Sequence, residues 1–205
     1  MRKLFYIILA AALALVLAGC GDAGNHTNGG SEMQQEIMVN GLIREKFEYV
    51  HVGELRFIGL DLRANPGLND QQTIEKIMPM MAEIMSERAT EIPEYCYLEH
   101  HNGGEVNVNE TGIGGYFFKA GTPVPEGLIF YDVPTVNIGY GVYRGGENFG
   151  GDLFDAYECT RDKILDDGVE IPYPQAYWTA AEFIGGEPRA GDYRFGYIFG
   201  VGEIG

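Results

Sequence analysis

Three cysteines, one tryptophan and 14 Lys or Arg residues are spread over 205 positions, against 30 acidic residues. So little basic charge argues against a nucleic-acid partner, because an acidic surface repels phosphates and anionic headgroups while concentrating cations. No C-x-x-C, H-E-x-x-H, G-x-S-x-G or phosphate-loop pattern occurs. Zinc, serine-hydrolase and nucleotide chemistry therefore have no motif to stand on, and neither a metal nor a cofactor is expected. A membrane-spanning helix is also missing. The apolar run Leu4 to Leu17 falls short of the roughly 20 residues a span needs and gives way to a Gly-rich polar stretch.

That run is instead the middle of a targeting segment. Arg2-Lys3 precede it as a positive n-region, and Leu17-Ala18-Gly19-Cys20 closes it with small residues and a cysteine. The arrangement resembles a bacterial lipoprotein signal over residues 1–19, which implies that Cys20 becomes a lipidated N-terminus and that the chain sits on the extracytoplasmic face of the cell membrane. Residues 20–40 follow as a tether. Gly21 to Gln35 carries too little apolar surface to offset the entropy of ordering it. With Arg2 and Lys3 removed, 12 basic residues face 30 acidic ones, a net charge of −18. Cys96 and Cys159 remain. A disulfide and two buried free thiols are the alternatives, and the thiols are favoured because the residues fall in a strand and a helix, without ligand neighbours.

Residues 41–205 form one domain that repeats itself once. Ile58-Gly59 is answered by Ile138-Gly139, Pro93 by Pro174, and Gly115-Tyr116-Phe117-Phe118 by Gly196-Tyr197-Ile198-Phe199, offsets of 80 to 81 residues. The first copy reads as a strand over Phe47–Ala64, bent at Gly53 or Gly59, then a helix over Asp70–Arg88, then strands near Glu94–His100 and Ile113–Ala120. Asp70 is the expected N-cap, and Pro79 is expected to kink the helix. The second copy reads as a strand over Leu128–Tyr143, a helix over Asp152–Leu165, and strands near Tyr177–Ile184 and Tyr193–Val201. By the 80-residue offset, Ile74, Ile77 and Ile84 fall on Phe154, Tyr157 and Ile164. The predicted fold is α+β: duplicated β-α-β-β units about a pseudo-twofold axis, an antiparallel sheet with two helices on one face and a ligand cleft on the other.

Strand alternation puts Trp178, Ala180 and Glu182 on one face. The 81-residue offset maps Trp178 onto Tyr97 and Glu182 onto His101. Tyr140, Tyr143, Tyr116 and Tyr197 lie on elements that could add aromatic wall. An aromatic box with one carboxylate suits a lipophilic cation, because ring faces attract positive charge and a desolvated carboxylate pairs with it strongly.

The strand Phe57-Ile58-Gly59-Leu60, the segment Val124-Pro125-Glu126-Gly127-Leu128-Ile129 leading to Val133-Pro134-Thr135-Val136, and the Tyr177–Glu182 strand resemble the GyrI-like small-molecule-binding family. That family includes effector-binding domains of multidrug-responsive transcription activators and is similar in architecture to SOUL heme-binding proteins. The resemblance spans about Phe47 to Val201. It implies a pseudo-symmetric cleft for aromatic, often cationic compounds, with Glu182 at its floor. Some relatives hydrolyse strained cyclopropane-bearing compounds with a pocket glutamate and an aromatic partner, roles that Glu182 with Trp178 or Tyr197 would fill. This chain departs from the family at Phe183-Ile184, where a tyrosine often stands two positions after the glutamate, and at Phe199-Gly200-Val201, where a proline usually precedes the valine. The lipobox and tether stand where DNA-binding helices would precede such a domain, so a transcription-factor role is not expected. None of His26, His51, His100 or His101 is placed as an axial heme ligand. The expected function is capture or sensing of lipophilic, cationic small molecules. The alternatives are a small-molecule hydrolase using Glu182 and a protein-interaction module using the sheet face.

Overall fold

A computed structural model describes residues 37–39, 41–100, 112–146, 148–172, 178–185 and 193–204. His101, Cys20 and the tether before residue 37 lie outside them. The strands are β1 (Ile37–Val39), β2 (Leu42–Val52), β3 (Leu55–Asp61), β4 (Tyr95–His100), β5 (Gly112–Lys119), β6 (Ile129–Val133), β7 (Val136–Arg144), β8 (Trp178–Gly185) and β9 (Arg194–Val201). Helix α1 spans Asp70–Met81 and α2 spans Phe149–Asp166. The nine strands make one antiparallel sheet in the order β1-β2-β7-β9-β8-β4-β5-β3-β6. This is the α+β class and the duplicated β-α-β-β order expected above, consistent with the GyrI-like fold.

Local chemistry explains the helix ends. Asn69, not Asp70, caps α1: its side chain accepts from Gln72 N at 2.9 Å while Gln72 Oε1 accepts from Asn69 N at 3.0 Å, a reciprocal box that Asp70 could not form. Asp70 is the first helical residue and accepts from the Tyr95 hydroxyl at 3.4 Å. The helix stops at Met81, two residues past Pro79, and a separate 3-10 turn over Met85–Glu87 replaces the expected continuation to Arg88. Helix α2 begins earlier than expected because Asn148 accepts from Gly151 N and starts it inside the Gly-rich break.

The two long predicted strands each split in two, yet both bends keep their register. Val52 pairs with Val136 at the end of the β2/β7 ladder, and Leu55 pairs with Val133 at the start of the β3/β6 ladder. β2–β3 and β6–β7 are thus one antiparallel ribbon kinked at Gly53-Glu54 and Pro134-Thr135, where proline has no N–H to pair. This ribbon shapes the sheet. β2 and β3 lie six places apart in the strand order, about 29 Å across a flat sheet, whereas two linking residues reach about 10 Å. The sheet has to curl until its two ends meet.

The curl separates two interiors. On the helix side, Ile77 and Met81 of α1 pack with Ile58, Leu60, Tyr95, Tyr116 and Phe118, and α2 brings Ala156 to Leu42, Tyr143 and Phe195, and Ile164 to Phe199 and Val201. Burying Ile77 completely contributes about 2 kcal/mol. The inward positions of the helices are Thr73, Ile77 and Met81 against Ala156, Thr160 and Ile164. The offset between the helices is therefore 83 residues, and Phe154, matched above to the inward row, is exposed on the outer face. Inside the curl, on the face without helices, Val52, Leu55, Phe57, Ile92, Cys96, Leu98, Phe117, Val133, Ile138, Trp178, Ala180 and Ile198 form the largest cluster.

Candidate functional site

Glu182 sits on that inner face. In the β4/β8 register it pairs with Cys96, Ala180 with Leu98 and Trp178 with His100. Only 2% of Glu182 is exposed. The Tyr140 hydroxyl donates to its Oε2, and Glu94 N donates to Oε1 at 3.4 Å. No basic side chain among the described residues forms an ion pair with it. Burial pushes the Glu182 pKa up; the hydrogen bonds from Tyr140 and Glu94 N pull the other way and only partly offset it. Burial, reinforced by the neighbouring carboxylate, also holds Tyr140 in its protonated, donating form. The Cys96 thiol is pushed well up by the same surroundings and stays protonated and inert. Cys96 and Cys159 are both free and buried.

Three residues complete the setting that the sequence reading did not single out for it. A Cβ on Gly196 would stand 2.5 Å from Tyr140 Cε2 and 3.1 Å from Glu182 Oε2, so the absent side chain is what lets the two meet. The Lys46 ammonium lies 5.7 Å from the centre of the Tyr140 ring and pairs with Glu48. Glu94 supplies the backbone N–H. Gly196 was visible within the repeated Gly-Tyr-x-Phe segment, whereas Lys46 and Glu94 carried no signal, since strand order alone brings them here.

Trp178, Glu182 and Tyr140 share the inner face. Tyr97, Tyr116, Tyr143 and Tyr197 do not share it. Tyr97 pairs with Ala181, one position from the register that the 81-residue offset assumed, and so turns to the helix side, where the Asp70 and Glu99 carboxylates, after burial, raise its pKa to about 12. Tyr116 stacks edge-on with Tyr95 at 5.8 Å, the Tyr143 hydroxyl pairs with Thr160 Oγ1 of α2 at 2.7 Å, and Tyr197 packs on Tyr157 of α2 at 5.5 Å. These rings bind the helices to the sheet. A separate groove of about 410 Å³ lies at the ribbon kink between Glu54, Arg56, Gly121, Asp132 and Pro134. There the Arg56 guanidinium is already held by both Asp132 oxygens, at 2.6 and 3.0 Å, and by Thr122 O. Among the described residues no three His, Cys, Asp or Glu side chains converge to hold a metal ion, and no helix is long and apolar enough to cross a membrane.

No family model matches the chain, and no curated protein does. Solved structures do resemble it. One is SAV2435 bound to tetraphenylphosphonium, with a TM-score of 0.51 and 8% identity over 77% of this chain and 94% of that one. Another is the EcmrR–DNA complex in EcmrR-RPo, with a TM-score of 0.47 and 15% identity; the alignment covers 78% of this chain and 58% of EcmrR, so the chain spans little more than half of that protein. The EcmrR C-terminal domain by itself gives a TM-score of 0.44 and 15% identity over 78% of this chain and 98% of that one. At 8% identity, the likeness to SAV2435 is one of fold.

Proposed function

We propose that this chain is a membrane-tethered, extracytoplasmic domain that binds lipophilic cations against Glu182, with Tyr140 and Trp178 as aromatic partners. One observation carries the reading: a carboxylate buried among apolar side chains, hydrogen-bonded but without a cationic partner among the described residues. Holding such a group ionised is costly, and a bound cation offsets that cost where water is excluded. The acidic surface, net −18 once residues 1–19 are removed, favours the approach of cations. The neighbour SAV2435, whose fold this chain shares, was solved with the cation tetraphenylphosphonium. Titration with tetraphenylphosphonium and with neutral triphenylmethane tests the reading. Glu182→Gln should weaken the cation by at least about tenfold and leave the neutral compound nearly unchanged; equal loss for both would sink the cation assignment.

A second reading has its own support. A carboxylate of raised pKa hydrogen-bonded to a phenol is the pairing with which a hydrolase would activate water against a strained, electrophilic ring carbon. Incubating the same binders and screening them by mass for hydrated products separates the two, and intact compounds throughout would leave binding alone.

A further inference from the structure

Trp178 shares the inner face with Glu182, separated from it by Ala180. The indole is 1% exposed and tilts against Phe117 with ring centres 5.7 Å apart, yet its Nε1–H has no acceptor among the described residues. Buried donors are nearly always paired, because an orphan forfeits its bond to water without recovering another. A trapped water would need two to four polar partners of its own, and the described residues that cluster with Trp178 on this face, Phe117 among them, are apolar. Among the described residues the face thus has two poles, a donor without an acceptor at Trp178 and a carboxylate without a cationic partner at Glu182, whose Cα atoms lie about 13 Å apart along the strand. On β8 the inward side chain between them is that of Ala180.

We infer that the Trp178 Nε1–H is a hydrogen-bond donor to the ligand, so that the site takes lipophilic cations carrying a carbonyl- or ether-type acceptor remote from the positive charge. The inference rests on the reading of Glu182 as the cation's partner and adds the second pole to it. Ala180, the smallest side chain on this face of β8, lies between the poles.

Two cations that differ only in the acceptor test it: tetraphenylphosphonium and its analogue with one para-acetyl group. The wild-type domain should bind the acetyl compound about fivefold more tightly. Trp178→Phe, which keeps an aromatic ring and removes the donor, should erase that preference, so that the variant binds the two cations equally, at whatever common affinity the ring exchange leaves. Because the chain has a single tryptophan, 15N-labelling gives one indole N–H resonance, and in the wild-type protein it should move downfield with the acetyl cation alone. That resonance decides the matter if Trp178→Phe does not fold. Equal affinities in the wild type, the same indole shift from both cations, or a preference that survives Trp178→Phe would each overturn the inference and leave the reading of Glu182 standing. If neither cation binds, both fall together.

Discussion

Burial moves the Glu182 pKa upward, and the direction fixes how stability depends on pH. The folded state holds this proton more tightly than the unfolded chain does, so the folded state is favoured most below the ordinary glutamate value of 4.5. That advantage is lost as pH rises through the raised folded-state value. Glu182→Gln has no such proton to lose. Urea unfolding of both proteins from pH 4 to 8 should therefore show the variant gaining on the wild type as pH rises, and a difference that stays flat would mean that the carboxylate is as well solvated as in the unfolded chain. Asp132 and Asp167 shift downward through Arg56 and Lys163, but they are exposed and common to both proteins, so they cancel in the comparison. A bound cation should reverse the slope, because it stabilises the ionised form alone.

Among the strands, the tightest demand falls where β3 crosses β5. A Cβ on Gly115 would stand 2.1 Å from the carbonyl oxygen of Ile58, a backbone atom that cannot rotate aside, whereas one on Gly53 at the ribbon kink would meet nothing within 4 Å. Gly115→Ala should cost more than about 3 kcal/mol and Gly53→Ala less than about 0.5 kcal/mol in chemical denaturation; similar costs would mean that the β3/β5 ladder yields. This is the limit on what the sequence reveals. The order and approximate length of the elements were legible because hydrophobic periods and turn residues mark them locally, and the common face of Trp178, Ala180 and Glu182 followed from alternation within one strand. The offset between the copies was not constant. It is 83 residues for the inward rows of the helices and even between the paired faces of β4 and β8, because turns of unequal length absorb the difference. A one-residue error carries a strand's side chains to the opposite face, which is why Tyr97 was set opposite Trp178. Tyr140 reaches Glu182 through the order β7-β9-β8, a relation between distant segments that no local pattern encodes.

For the whole molecule, the kinked ribbon makes β2 and β3 structurally indispensable. Residues 35–205 form a compact unit, and β2 within it covers the edge of β7 from Ile43 to Val52 while Val50 and Val52 enter the inner cluster. Losing β2 would expose that edge and open the interior that holds Glu182, a loss of many ladder bonds and several buried side chains at once. Cys20 precedes that unit in the sequence. Location and binding should therefore be separable by where the chain is altered. Cys20→Ser in the exporting host should move the protein from the membrane to the soluble fraction while tetraphenylphosphonium raises its melting temperature as before, and a chain beginning at Gln35 should behave the same way in solution. A chain beginning at Gly53 should show neither a cooperative melt nor a ligand-dependent shift. Continued membrane association of Cys20→Ser would remove the lipid anchor from the proposal. A folded, ligand-responsive chain from Gly53 would mean that the ribbon does not hold the sheet closed.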